Sequence, residues 1–129
     1  MKYSYSKDIN VSFDKVEKNV VNALMDVGFG VLTEVNIKGA FKSKLNINYK
    51  KYKILGACNP NLAHEALEYD PLIGILMPCN IVIIDNEDGT TKVVFPNAKN
   101  LLEITENKKI DTLSEKVDIL LESAFKSLT

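Results

Sequence analysis

The stretch YKILGACNPNLAHEALEYDPLIGILMPCNIVII, Tyr52 to Ile84, decides how this chain can fold. It holds both cysteines, the only histidine and three of the four prolines. It also states nearly the same phrase twice, as Ala57-Cys58-Asn59-Pro60 and as Pro78-Cys79-Asn80. Tyr52 to Cys58 reads as a strand. Pro60 suits the first helical position with Asn59 as N-cap, so a helix is expected to about Tyr69, with Leu62, Ala63, Ala66 and Leu67 inward. Asp70-Pro71 stops it. Cys79 to Ile84 is apolar and β-branched, a buried strand. Two topologies follow. In a ferredoxin-like split βαβ the two strands run parallel and the thiols lie more than ~15 Å apart by strand rise alone. In an antiparallel meander the helix is an insertion in a long hairpin, and Cys58 and Cys79 come to one edge.

Working outward, Lys2 to Ile9 is a candidate first strand. Ser12 is an N-cap for a helix from Phe13 to Val27, with Phe13, Val16, Val20, Leu24 and Val27 on one face. Gly28 ends it as a C′ residue. Phe29 to Ile37 alternates as a strand, with Phe29, Val31, Thr33, Val35 and Ile37 sharing a face. Lys38 to Ile47 reads as a short helix weakened by Gly39. Asn86-Glu87-Asp88-Gly89 is a hairpin turn leading to a strand from Thr91 to Phe95, which Pro96 ends. Asn97 to Leu102 suits a turn of helix. The last helix is expected from about Thr112 to Leu128, with Leu113, Val117, Leu120, Leu121, Ala124 and Leu128 as its apolar stripe. The order is β-α-β-(α)-β-α-β-β-α, an α+β pattern of one sheet under one layer of long helices.

At 129 residues the chain is expected to be one domain, 1–129, large enough for a core without staples. No apolar run reaches the ~18 residues of a membrane span. The polar start, Met1 to Tyr5, has no hydrophobic segment after it, so a cytoplasmic location is expected. Two cysteines then read as reduced thiols. A net charge of −1 argues against bulk binding to nucleic acid or membrane. Six lysines and no acid fall between Val35 and His64, and all sixteen basic residues are Lys. Without Arg the chain lacks the bidentate fork used on guanine, phosphate and carboxylate. The lysine run around Tyr49 and Tyr52 reads as a solvated face.

The central stretch resembles an uncharacterised family, domain of unknown function 302. The residues that carry the resemblance are Tyr52, Ile54-Leu55-Gly56-Ala57-Cys58-Asn59-Pro60, Ala63, Ala66-Leu67, Asp70-Pro71, Ile73-Gly74 and Leu76-Met77-Pro78-Cys79-Asn80. Met77 stands where the family has Leu, and Lys53 where Arg is common. The resemblance implies a fold of the TATA-binding-protein class. That means a single antiparallel sheet of about five strands, two long helices on one face and a short inserted helix, in the order β-α-β-β-α-β-β-α. It favours the meander over the split βαβ and implies no activity.

The candidate site is therefore Cys58, Asn59, Cys79 and Asn80. Cys58 precedes a helix N-terminus, where free N–H groups and the dipole favour a thiolate. The first reading is a binding or sensing module that holds a small ligand or a soft metal ion, zinc or copper, with Cys58 and Cys79 as ligands. No cofactor is required by the sequence. A second reading is a thiol redox enzyme, with Cys58 attacking and Cys79 resolving. A third is a homodimeric interaction protein whose cysteines are core filler, free Cys being among the most buried residue types. His64, one turn into a helix, reads as a solvent-facing side chain rather than a third metal ligand. Asn80, near the start of an apolar strand, needs a partner if buried.

Overall fold

The antiparallel reading of the central stretch organises the whole molecule. The computed structural model describes residues 2–129. Five strands, β1 (Ser4–Ile9), β2 (Gly30–Asn36), β3 (Tyr52–Cys58), β4 (Cys79–Asp85) and β5 (Thr91–Pro96), form one sheet in the order β1-β5-β4-β3-β2. Every neighbouring pair is antiparallel. Five helices accompany them: α1 (Phe13–Asp26), α2 (Ile37–Leu45), α3 (Pro60–Tyr69), α4 (Ala98–Leu102) and α5 (Lys108–Lys126). Short 3₁₀ turns occupy Pro71–Leu76 and Glu103–Thr105.

α1 joins strands at opposite edges of the sheet and must cross its whole width. Four inter-strand gaps span about 19 Å and a 14-residue helix about 21 Å, so its length suits the crossing. Its apolar stripe, Phe13, Val16, Val20, Ala23 and Leu24, lies buried against the sheet. The helix ends as its sequence dictates. Gly28 sits at φ +88°, its N–H donates to the Met25 carbonyl at 3.0 Å, and Phe29 N–H donates to Leu24 at 2.9 Å. That pairing is a Schellman motif. α5 lies beside α1 and buries Leu113, Val117, Leu121 and Ala124, and Leu128 just beyond its end is buried too. Alternate residues of the strands meet these helices: Leu55 and Ala57, Ile81 and Ile83, Val93 and Phe95 are all buried. Lys53 lies on the same face, where its ammonium reaches Glu17 of α1 at 2.9 Å and Glu34 of β2 at 2.8 Å.

Three elements depart from the expected reading. In β2, Val31 pairs with Ala57 but Thr33 pairs with Gly56, so Leu32 is an extra residue without a partner. This bulge moves Thr33 and Val35 to the opposite face from Val31, and Leu32 is exposed. The uninterrupted face through Phe29, Val31, Thr33, Val35 and Ile37 is therefore not formed. α5 begins a turn earlier than the stripe suggests, because the Asn107 side chain accepts from the N–H groups of Lys109 and Ile110. Leu67, expected inward on α3, is 41% exposed; that helix buries Ala66 and half-buries Leu62 and Ala63 instead.

Candidate functional site

The β3–β4 register sets Ala57 opposite Cys79, so the two Cys-Asn phrases lie side by side at one end of the sheet. Cys58 stands one residue out of register with Cys79. In regular strands their side chains leave opposite faces, Cys79 toward the helices with Ala57. Both cysteines are free and half-buried. Asn59 is committed to local structure: its side chain caps α3 by accepting from Leu62 N–H at 3.2 Å. Asn80 is exposed, and among the described residues its side-chain amide makes no hydrogen bond. His64 faces solvent, with Nε2 3.2 Å from Glu68 of the same helix.

A cavity of about 310 Å³ opens at this end of the molecule. α3 contributes Leu62, Ala63 and Ala66; the 3₁₀ turn contributes Ile73 and Leu76; α4 and α5 contribute Leu101, Leu102, Leu113 and Val117. Among the described residues, the four of the two Cys-Asn phrases, with Tyr3 and Ser4, are its polar lining, and no charged side chain lines it. Val82, Val94 and Pro96 line it too, although they belong to the face of the sheet away from the helices. The cavity reaches them because the sheet parts here. β4 and β5 pair from Asp85 and Thr91 only as far as Val82 and Val94. Beyond that, β5 stays with β1 through Tyr5–Phe95 and Ser4–Pro96, while β4 stays with β3.

The electrostatics of this end are set by burial. The Cys79 thiol is pushed up to about 11, chiefly by burial, then by Cys58 and Asp118 beside it. It is a protonated thiol at neutral pH, not a thiolate. Asp118, on α5, is itself raised by burial, against the backbone N–H groups of Lys99 and Ala98, which pull it down. Tyr5 is raised by burial and then by Asp118. The Tyr5 hydroxyl and Asp118 Oδ1 are both buried and lack hydrogen-bond partners among the described residues. Also among the described residues, no group of three or more His, Cys, Asp and Glu side chains is placed to hold a metal ion. Cys58 and Cys79 offer two sulfurs, short of the four ligands of structural zinc.

The family model "Domain of unknown function DUF302" matches residues 5–128, nearly the whole chain. This chain belongs to the DUF302 family. The fold is also that of a solved structure, the uncharacterized conserved protein DUF302 from Bacillus stearothermophilus. That likeness has a TM-score of 0.91 and 22% identity, and it covers 100% of each chain. Among curated proteins, none matches. In this DUF302 chain no helix among the described residues is long and apolar enough to cross a membrane. The paired Cys-Asn phrases of this DUF302 chain are legible in its sequence, but the cavity they open on is not. The walls from the 3₁₀ turn, α4 and α5 carry no local signal, because ordinary aliphatic residues line them. One signal was present: Pro96 ends a strand that turns out to have neighbours on both sides.

Proposed function

We propose that the chain is a binding module for a small, largely apolar molecule held in the cavity between the parted strands. The observation that carries this reading is the cavity itself: about 310 Å³, walled by aliphatic side chains, with polar groups gathered at the Cys-Asn phrases. Ligand sites have this composition, an apolar lining with a few placed polar groups, and this one lies at the lower end of their usual ~300–1,000 Å³. A protonated Cys79 fits a polarisable wall better than a reactive one.

The test uses naphthalene, a neutral apolar probe. Stabilisation should follow mass action, about 2.7 kcal/mol at a hundred times Kd. The double variant Ala63→Leu/Ala66→Leu fills the α3 wall and should abolish the response. A wild-type chain whose thermal unfolding and probe fluorescence are both unchanged by naphthalene would refute the reading.

A further inference from the structure

The place where the sheet parts has a chemical cause. In an antiparallel sheet each residue directs its N–H and C=O to the same neighbour, and successive residues alternate. Asp85 N–H donates to the Lys51 carbonyl at 2.9 Å, so the odd-numbered residues of β4 face β3. Asn86 N–H donates to Thr90 at 3.2 Å, so the even-numbered ones face β5. On β5, Asn97 N–H donates to Tyr3 at 2.8 Å, which turns odd residues to β1 and even ones to β4. The next rung after Val82–Val94 would join Asn80 to residue 96. Residue 96 is proline, which has no N–H. The ladder stops there, and the Asn80 carbonyl lacks the donor that any other residue would supply. Among the described residues the Asn80 side-chain amide has no hydrogen-bond partner either, and Asn80 lines the cavity.

We infer that Asn80 is the polar anchor of this site, and that its ligand is a neutral molecule with an apolar body and one terminal hydrogen-bond donor. This rests on the binding reading above and names the class of ligand. The donor takes the place of the missing N–H at the Asn80 carbonyl, and the side-chain amide can accept or donate beside it. A neutral ligand fits because, among the described residues, no charged side chain lines the cavity to meet an ion. Size follows from volume: a 150 Å³ cavity takes benzene, so twice that volume takes about a dozen heavy atoms.

The experiment compares 1-decanol, its isomer methyl nonyl ether, which lacks the donor, and decanoate at pH 8, by calorimetry. Decanol should bind at least about tenfold tighter than either, the ratio expected when an acceptor that the bound ligand covers is left unmet. Pro96→Val restores the N–H, and the decanol preference over the ether should vanish while the ether still binds. Equal wild-type affinity for decanol and ether, or a preference for decanoate, would overturn the anchor while naphthalene binding kept the cavity reading intact. A preference that survives in a folded Pro96→Val chain would overturn it too. If none of these probes nor naphthalene binds, both readings fall. The wild-type ratio alone decides even where the variant does not fold.

Discussion

At the scale of single residues, the site end of the sheet is tuned by what little space it leaves. A Cβ added at Gly56 would lie 2.6 Å from the Pro78 ring and closer still to the Thr33 hydroxyl. Gly56→Ala should therefore cost about 2–3 kcal/mol in urea unfolding, the usual scale of overpacking. A cost below 0.5 kcal/mol would show that Thr33 and Pro78 give way freely. Cys79 makes a different claim. Its folded thiol titrates near 11 against an ordinary 9.0. The stability it contributes is complete below pH 9 and is lost as pH rises through about 11. Two pKa units correspond to roughly 2–3 kcal/mol. The stability difference between wild type and Cys79→Ala should narrow by that amount between pH 8 and 11. Parallel pH profiles would place Cys79 in contact with solvent.

At the scale of elements, Lys53 ties β3 to α1 and β2 at once. Its pKa is raised by hydrogen bonds to Glu34 and Glu17. Lys53→Met keeps the packing of the stem but leaves two carboxylates facing each other. About 1–2 kcal/mol should be lost at low salt and less at 1 M NaCl, measured by urea midpoint. A loss independent of salt would trace it to packing alone. Lys53 was legible as one of a run of lysines and as a position where the family often has Arg, but its ion pairs were not, since its partners are 36 and 19 positions away in sequence. The elements that were legible carry their own instructions: Asn59-Pro60 starts α3, Gly28 closes α1, and the β-branched run Ile81 to Ile84 makes β4. The bulge at Leu32 was not, because Val31-Leu32-Thr33 offers β3 a smooth alternation and only the partner strand shows the extra residue. The 3₁₀ turn from Pro71 to Leu76 is short and apolar, with Ile73 buried while Leu72 and Ile75 are exposed. No period distinguishes such a stretch.

At the scale of the molecule, the paired phrases mark the end of the sheet where the cavity opens but not its depth. Cys58, Asn59, Cys79 and Asn80 lie side by side at one end of the sheet, as an interrupted hairpin requires. The cavity beside them depends on α4 and α5 folding back over the parted strands, a long-range arrangement that no local pattern encodes. The strand order carries a further consequence, in time rather than in space. β1 is the first of the five strands in the chain and β5 the last, yet the two lie side by side, with Ser4 opposite Pro96. At ribosomal speeds of about 5–20 residues per second, β1 waits roughly 5–20 seconds for its only neighbour to exist. The β3–β4–β5 meander, whose partners are close in sequence, can be complete before β1 docks on it. The earliest-made of these five strands can thus be the last to be seated, and until it docks the β5 edge of the sheet stands open.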